Sequence, residues 1–248
     1  MMQLPECLLQ IPIAHRGLHN RDNGVIENSV SAVREAVKLG YGVELDLQLS
    51  ADGEAIVFHD DDLDRLTESS GPVHRKTTAE LTTIALLGST DTPMTLQKII
   101  DEIAGQVPVL LELKNQKDRD TGALEHSTAK VLKTYKGPVA VMSFNPRMVA
   151  RLAELLPEIP RGLTTGSFEG EGLPEAIKDH LHAISDFDAV GACFVSHEAS
   201  ELEAPRVAEL KRAGYPILTW TIRSEASEKE ARKIADNITF EGYLAAKP

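Results

Sequence analysis

The sequence has little cysteine and no long apolar run. Its 248 residues include two cysteines, Cys7 and Cys193. They lie far apart and lack the spacing of a zinc site, which excludes a disulfide framework and favours a reducing compartment. No apolar run approaches the roughly 20 residues that cross a bilayer. Residues 1–13 have no basic start and contain Pro5 and Pro12, unlike a secretory signal. We therefore expect a cytoplasmic protein with no membrane insertion.

The sequence is also poor in positive charge. Lysine and arginine number 26 against 38 aspartates and glutamates, so the net charge is −12. This balance argues against a nucleic-acid binder, because such proteins cluster lysine and arginine against phosphates. Any anionic substrate must therefore meet a local positive site. The fraction of hydrophobic residues, 42%, is ordinary for a globular protein with a substantial core.

Short β-rich runs alternate with helical patterns along nearly the whole chain, which indicates a parallel sheet covered by helices. The predicted strands are 11–15, 42–47, 107–113, 139–144, 161–165, 191–196, 217–222 and 238–241. The predicted helices are 28–39, 96–104, 121–135, 146–155, 174–185, 204–213 and 225–235. Eight strands in a chain of this length predict an α/β fold, a single (β/α)8 TIM-barrel domain over residues 1–248. Residues 242–248 are too few for a full closing helix.

A further strand at 55–59 follows the second barrel strand without room for a helix between them. Asp52-Gly53 is a typical hairpin turn pair, and a two-residue loop there pairs 49 with 56 and 46 with 59. Asp46 and His59 are then predicted to be cross-strand neighbours on one face. Residues 60–93, rich in Asp, Thr, Ser and Gly, are predicted to form an insertion of loops and one short helix over the barrel mouth.

Ionisable residues occupy the carboxyl ends of several predicted strands, where barrel strands are otherwise apolar. They are His15, Arg16, Glu44, Asp46, His59, Glu112 and Lys114. In a TIM barrel this rim is where active sites are assembled. The pairs Glu44/Asp46 and Glu112/Lys114 have i, i+2 spacing, which places each pair on one face of its strand.

Three carboxylates in one pocket repel each other unless a cation lies among them. Glu44, Asp46 and Glu112 offer only oxygen, which selects one hard divalent cation, Mg²⁺ or Ca²⁺. With Arg16 and Lys114 included, the site keeps one positive charge, which a phosphodiester neutralises. Arginine suits forked contact with phosphate oxygens, and lysine acts as a point charge.

Two histidines at the same rim suit proton transfer. An unperturbed imidazole titrates near pH 6.5, so His15 and His59 are candidates for the general base and the general acid of a phosphoryl transfer. One would take a proton from the attacking oxygen, and the other would protonate the leaving alkoxide.

In this pattern the sequence resembles the glycerophosphodiester phosphodiesterase family. The resemblance rests on His15-Arg16-Gly17, Glu27-Asn28-Ser29, Glu44-Leu45-Asp46, Asp52-Gly53 with Val57-Phe58-His59-Asp60, and Glu112-Leu113-Lys114, with weaker matches at Ser143-Phe144 and Trp220-Thr221. Each motif alone is weak, but the ordered set is specific. Many members end with Thr-Asp-x-Pro, whereas this chain reads Thr239-Phe240-Glu241-Gly242, a difference that affects the glycerol side of the pocket.

The resemblance implies a TIM barrel that hydrolyses a small-molecule glycerophosphodiester to glycerol 3-phosphate and an alcohol. The implied roles are metal ligands at Glu44, Asp46 and Glu112, acid–base catalysis at His15 and His59, phosphate contacts at Arg16 and Lys114, a supporting acid at Glu27, and an apolar wall beside the glycerol at Phe144 and Trp220.

Other functions remain open at this stage. The same fold would serve a phosphodiesterase for another headgroup, such as a lysophospholipid, a sugar phosphodiester or phosphoinositol. A long lipid needs an exposed apolar groove near the mouth, and the polar insertion 60–93 gives little sign of one. A non-catalytic phosphodiester-binding protein would be expected to lack a histidine or a metal carboxylate. Barrel enzymes of enolate chemistry fit the paired histidines less well.

Overall fold

Eight parallel strands close into a barrel in the computed structural model, which describes residues 2–119, 121–169 and 172–247. The described residues form ten strands, of which all but β3 and β4 make up the ring: β1 (Ile13–Ala14), β2 (Gly42–Leu49), β3 (Ala55–Val57), β4 (Met94–Thr95), β5 (Val109–Leu113), β6 (Val139–Ser143), β7 (Arg161–Thr165), β8 (Phe194–Glu198), β9 (Ile217–Ile222) and β10 (Asn237–Phe240). β1 pairs in parallel with both β2 and β10, which closes the ring. β3 and β4 extend β2 as an antiparallel ribbon outside the ring. The predicted TIM barrel is confirmed.

Helices cover the outside of the barrel, close one end of it and occur in the insertion. They are α1 (Glu6–Gln10), α2 (Val30–Leu39), α3 (Thr78–Leu81), α4 (Leu96–Ile103), α5 (Ala123–Leu132), α6 (Pro146–Leu155), α7 (Glu175–His182), α8 (Pro205–Arg212) and α9 (Glu225–Ala231). The seven predicted outer helices occur within a few residues of their predicted bounds, and α3 is the short helix expected in the insertion. No helix among the described residues is long and apolar enough to cross a membrane.

The amino-terminal end of the barrel is closed by α1, which the sequence reasoning missed. Leu4 and Leu8 join a buried cluster with Leu110, Phe194 and Leu218 from the barrel interior. The buried amide of Asn237 holds this segment, because its Nδ2 donates to the carbonyl oxygens of Leu8 at 2.9 Å and Ile11 at 2.7 Å. With Pro5 and Pro12 on either side, this five-residue helix leaves no periodic pattern to detect, and the first barrel strand is shortened to two residues.

After β10 the described residues form no helix, as expected from their number. The tail instead packs against the outer core: the Tyr41 hydroxyl donates to the carbonyl oxygen of Ala245 at 2.6 Å, and Tyr243 lies edge-on to Phe240.

The hairpin after β2 is present, but its predicted register is wrong by one residue. Leu49 pairs with Ala55 and Leu47 with Val57, and the Phe58 amide donates to the Asp46 carbonyl at 3.0 Å. The physical reason is the turn: Ser50 N–H donates to the Glu54 carbonyl, and Gly53 has φ +83°. This is a three-residue loop with a left-handed glycine, a common alternative to the two-residue turn. His59 therefore follows the end of the strand rather than facing Asp46 across it.

The insertion after this hairpin has a hydrophobic core of its own. Its buried members are Ile26, Ile56, Phe58, Leu63, Leu66, Val73, Leu81 and Leu86. These side chains contact one another in a cluster separate from the barrel core. This small core anchors the segment that carries His59 and Asp60 at the mouth.

Candidate active site

Three buried carboxylates meet at the mouth of the barrel because two neighbouring strands are in register. Asp46 of β2 pairs with Glu112 of β5, and Glu44 lies two residues earlier on the same face. Leu45 and Leu47, which alternate with these two acids, belong to the outer hydrophobic core. One ligand oxygen from each of Glu44, Asp46 and Glu112 lies within 4.8 Å of the others. The strand alternation therefore builds the acid cluster that the sequence predicted.

Two basic side chains lie against this cluster. Lys114 Nζ donates to Glu112 Oε1 at 2.6 Å and lies 3.1 Å from Asp46 Oδ1. Arg16 donates its backbone N–H to Glu44 Oε2 at 3.0 Å, and its Nε lies 3.4 Å from Asp46 Oδ2. The two basic side chains that were predicted to contact phosphate therefore both lie at the site.

Glu44 and Asp46 of the cluster differ in the direction of their pKa shifts. Burial, followed by the charges of Asp46 and Glu112, raises the pKa of Glu44 well above its usual range. Burial acts on Asp46 in the same direction, but the charges of Lys114, His59 and Arg16 outweigh it and lower its pKa. The protein therefore leaves the charge of Glu44 less compensated than that of Asp46, and an added cation would reduce the electrostatic repulsion at Glu44.

The donor set fits a divalent cation. Three carboxylate oxygens, all buried and close together, match the oxygen ligands that Mg²⁺ and Ca²⁺ prefer. The negative charge of Glu44, which nearby side chains do not neutralise, agrees with this fit.

The first histidine is held by an acid that the sequence reasoning did not assign. His15 Nδ1 lies 2.5 Å from Glu241 Oε2, while Arg223 Nε donates to Glu241 Oε1 at 2.8 Å. His19 Nε2 is 3.5 Å from the same carboxylate. The hydrogen bond from His15, together with the nearby His19, lowers the pKa of Glu241. Burial lowers the pKa of His15, and the bond to Glu241 only partly opposes burial.

The second histidine has a matching arrangement. His59 Nδ1 lies 2.6 Å from Asp60 Oδ1, and Gln48 Nε2 donates to the His59 carbonyl oxygen at 3.1 Å. Burial raises the pKa of Asp60, but the bonds from His59 and Arg65 outweigh burial and lower it. Both histidines therefore use Nδ1 for a carboxylate, an arrangement that fixes ring orientation and tautomer.

Arg65, also unassigned by the sequence reasoning, connects the two sides of the site. Its guanidinium donates to Asp60 Oδ2 at 2.6 Å and to Glu27 Oε1 at 2.7 Å. Glu27 in turn accepts from Arg16 Nη1 at 2.6 Å. Burial raises the pKa of Glu27, but the bonds and charges of Arg65 and Arg16 hold it at about 2. The predicted supporting acid is thus one link in a chain of ion pairs from Arg16 to His59.

Asn28 fixes the central carboxylate. Its Nδ2 donates to Asp46 Oδ2 at 2.8 Å, and its Oδ1 accepts the Asp46 backbone N–H at 3.1 Å. Asn28 has φ +57°, a conformation that asparagine tolerates better than most residues. The adjacent Ser29 side chain accepts from Ala32 N–H and caps α2.

The site opens into a cavity of about 1150 Å³. The acid cluster, both histidines, Arg16 and Lys114 line it. Phe144 and Trp220, predicted as an apolar wall, lie in the same cavity with ring centroids 5.5 Å apart in an edge-to-face arrangement. The structure thus brings every predicted site residue except Glu27 to the cavity wall, and Glu27 contacts the wall residue Arg16.

We expect Arg65→Gln to lower kcat by about 10- to 100-fold, the usual cost of removing an orienting partner of a reactive group. The substitution frees Asp60 and Glu27 together, so His59 loses its fixed orientation. Steady-state kinetics on the phosphodiester substrate that the sequence resemblance implies measure the loss. Added guanidinium should restore part of kcat, since Arg65 is half-exposed, which a merely structural defect would not allow.

The matched control is Arg34→Gln. Arg34 also donates through two nitrogens to one carboxylate, that of Glu102, but on the surface. This variant should keep the kcat of the parent protein. An Arg65→Gln variant with unchanged kcat would contradict the positioning role.

The carboxyl ends of the barrel strands carry a buried acid cluster, two basic side chains and two histidines that pair with carboxylates. This arrangement defines a TIM-barrel enzyme. Residues 15–237 match the model of the Glycerophosphoryl diester phosphodiesterase family. The chain belongs to this family of phosphodiester hydrolases, which confirms the resemblance seen in the sequence.

Known relatives agree with this assignment. The YhdW protein of Bacillus subtilis is 28% identical over 223 residues, which cover 86% of each chain. Glycerophosphodiester phosphodiesterase 1 of Rattus norvegicus is 26% identical over 176 residues, and the aligned part is 52% of that protein. A phosphodiesterase structure from Oleispira antarctica, solved with the product sn-glycerol-3-phosphate, superposes with a TM-score of 0.80 at 26% identity and covers 96% of this chain and 95% of that chain.

Proposed function

We propose that this protein hydrolyses glycerophosphodiesters to glycerol 3-phosphate and an alcohol. The proposal rests on one observation: the acid cluster, the basic side chains of Arg16 and Lys114, and two histidines that pair with carboxylates all line one cavity. Family membership and the glycerol 3-phosphate bound to the Oleispira antarctica enzyme support the same substrate class.

Glu44, Asp46 and Glu112 would hold one divalent cation, Mg²⁺ or Ca²⁺. When bound, the cation supplies positive charge that polarises a phosphoryl oxygen. Arg16 and Lys114 bind the remaining phosphoryl oxygens and stabilise the charge that develops on them. Glu27 keeps Arg16 in place through the 2.6 Å ion pair.

His15 and His59 move the protons. Because each ring uses Nδ1 for its carboxylate partner, Nε2 is the nitrogen that faces the reaction. One Nε2 accepts the proton of the attacking hydroxyl, and the other donates a proton to the alcohol that leaves. Glu241 and Asp60 hold the rings and stabilise the imidazolium that forms on each.

The wall of Phe144 and Trp220 excludes water on the other side of the phosphate and contacts the carbon atoms of the glycerol. A non-catalytic binding protein is the weaker reading, since both histidines and all three carboxylates lie at the cavity. We also propose a reducing compartment such as the cytoplasm, because Cys7 and Cys193 are both free thiols.

The test is an assay of chelator-stripped protein on glycerophosphocholine and on bis(p-nitrophenyl) phosphate, with Mg²⁺, Ca²⁺ or no metal added. We expect glycerol 3-phosphate only when metal is present, and the more effective ion identifies the cofactor. Cleavage of the artificial diester alone would assign the natural substrate to another headgroup. Absence of turnover on both would contradict the proposal.

A further inference from the structure

Arg147 is a charged residue of the cavity wall that the proposed mechanism does not use. It lies on the first turn of α6 and lines the same cavity as the acid cluster. Its guanidinium makes no ion pair or hydrogen bond with the part of the chain that the structure describes. The chain has a net charge of −12, so an arginine without an acidic partner at this place calls for an explanation.

Arg206 shows how an arginine is accommodated at the same position of another barrel helix. Arg147 and Arg206 are each the second residue of their helix, α6 or α8, and each follows the proline that begins it. Arg206 Nη1 pairs with Glu209 Oε2, three residues further along, at 3.1 Å. The corresponding residue of α6 is Ala150, so α6 offers Arg147 no such partner.

The position of Arg147 is unfavourable for the stability of α6. The first turn of a helix carries partial positive charge and disfavours a cation. Arg206 offsets this cost through Glu209, whereas Arg147 does not offset it within its own helix. A role of Arg147 in the cavity accounts for its presence better than a contribution to the helix.

Arg147 belongs to a polar strip of the cavity wall that begins at a predicted phosphate contact. Asn115 follows Lys114 directly, and Asn145 Nδ2 donates to Asn115 Oδ1 at 3.1 Å. Asn145 Oδ1 in turn accepts the Arg147 backbone N–H at 3.0 Å. Asn115, Asn145 and Arg147 all line the cavity, and we call them the β5–β6 rim because they follow these two strands. The rim therefore connects the phosphate site at Lys114 with Arg147.

The charge of Arg147 has no counterpart in the rest of the wall. Among the described residues that line the cavity, the acids outside the metal cluster already have basic partners. These pairs are Asp60 with His59, Asp61 with Lys117, and Asp186 with His180. The metal cluster, one divalent cation, Arg16 and Lys114 together leave one positive charge, which the scissile phosphodiester neutralises. Arg147 adds a positive charge that neither the wall nor this phosphate compensates.

We propose that the β5–β6 rim binds the headgroup of the substrate and that Arg147 selects a headgroup with a carboxylate. This inference rests on the proposed function. Since Phe144 and Trp220 are assigned to the glycerol, the rim beside Lys114 is left for the alcohol on the other side of the phosphate. The reaction is unchanged: a water oxygen bonds to phosphorus, the phosphorus–oxygen bond to the headgroup breaks, and the headgroup leaves as an alcohol with a proton.

A carboxylate fits Arg147 in shape and in charge. A guanidinium can donate two parallel hydrogen bonds to the two oxygens of a carboxylate. The single negative charge of a carboxylate neutralises Arg147, whereas a phosphate monoester carries about two negative charges near neutral pH and would leave one in excess.

The experiment compares kcat/KM for glycerophosphoserine and glycerophosphoethanolamine in the presence of the activating metal. The two headgroups both carry an ammonium and differ by one carboxylate, and both substrates release glycerol 3-phosphate, so one assay measures both. We expect the serine ester to be favoured by about fivefold, the effect of a solvent-exposed ion pair. Added salt should reduce this preference, because it screens exposed charges.

Arg147→Gln should bring the ratio of the two kcat/KM values to about one. Arg147→Lys keeps the charge but not the two parallel donors, so it should retain part of the preference. The matched control is Arg206→Gln, which removes an arginine from the same helix position outside the cavity and should keep the ratio of the parent protein. Thermal melts check that the variants are folded.

Two results overturn the inference in different ways. Metal-dependent hydrolysis of both esters without preference for serine, or with a preference that Arg147→Gln retains, contradicts the role of Arg147 and leaves the proposed function standing. Absence of metal-dependent release of glycerol 3-phosphate from both esters contradicts the proposed function and the inference together.

Discussion

Replacing either His15 or His59 with asparagine is expected to lower kcat on glycerophosphocholine by about 10²- to 10⁴-fold, the usual contribution of a general acid or base. Asparagine keeps a donor near the position of Nδ1, so the bonds to Glu241 and Asp60 are retained. Only Nε2 is lost. The loss therefore measures proton transfer rather than disruption of the ion pairs around the site.

The leaving group separates the roles of the two histidines. A p-nitrophenolate leaves without protonation, whereas choline leaves as an alkoxide that needs a proton. The variant without the general acid should lose less than about tenfold on a p-nitrophenyl ester, while the variant without the general base should lose activity on both substrates. Single-substrate kinetics on each ester give the comparison.

His182→Asn is the matched control for these variants. His182 also pairs with a carboxylate, that of Glu201, but is 46% exposed and lies outside the cavity. Its replacement should leave kcat unchanged. Retention of activity within threefold of the parent by either His15→Asn or His59→Asn would refute that residue's role in proton transfer.

The second large effect concerns the metal ligands. We expect Glu44→Gln to lower metal-stimulated turnover by at least about 100-fold. We also expect it to raise the stability of the metal-free protein. Its carboxylate is buried beside two others, so its charge is unfavourable, as its raised pKa shows. The amide keeps an oxygen for the Arg16 N–H. A gain of about 1 kcal/mol would raise Tm by about 2–4 °C in a protein of this size.

Within the same cluster, Asp46→Asn should change the stability of the metal-free protein in the opposite direction. Asp46 is paired with Lys114 and Asn28, and its lowered pKa shows that its charge is stabilised in the folded state. Asp46→Asn should therefore lower Tm in the absence of metal, while it also abolishes metal-stimulated turnover.

Thermal melts with and without added Mg²⁺ or Ca²⁺ test both variants. The parent protein should gain stability from the metal, by an amount that rises with the logarithm of the ratio of metal concentration to dissociation constant, and neither variant should match that gain. A Glu44→Gln variant that melts below the parent in the absence of metal would show that the cluster is compensated without a cation, and would contradict the proposed site.

The fold was predictable from sequence because its determinants are local. Alternation of apolar runs and the i, i+2 spacing of Glu44 and Asp46 indicate strands, faces and the carboxyl rim. The hairpin register was not predictable from Asp52-Gly53 alone, since this pair suits both a two-residue loop and the observed three-residue loop. The choice depends on the bonds that Ser50 and Glu54 make.

The ion-pair partners were missed because they are contacts between distant residues. Arg65 reaches Glu27, and Glu241 reaches His15 over 226 positions. One signal for Glu241 was present in the sequence: a closed barrel places the last strand beside the first, so the acid after β10 was bound to lie near the histidine after β1. The departure from the family's terminal motif thus bears on His15, and not only on the glycerol side.

The separate hydrophobic core of the insertion has a consequence for the behaviour of the protein on heating. Segments with few buried apolar contacts open at lower free energy than the main core. Leu63, Leu66 and Val73 belong to this small core, and the same segment carries Asp60 and Arg65, which orient His59. We therefore expect warming to release His59 while the barrel is still closed, so that the smallest hydrophobic cluster among the described residues, and not the largest, determines the temperature at which activity is lost.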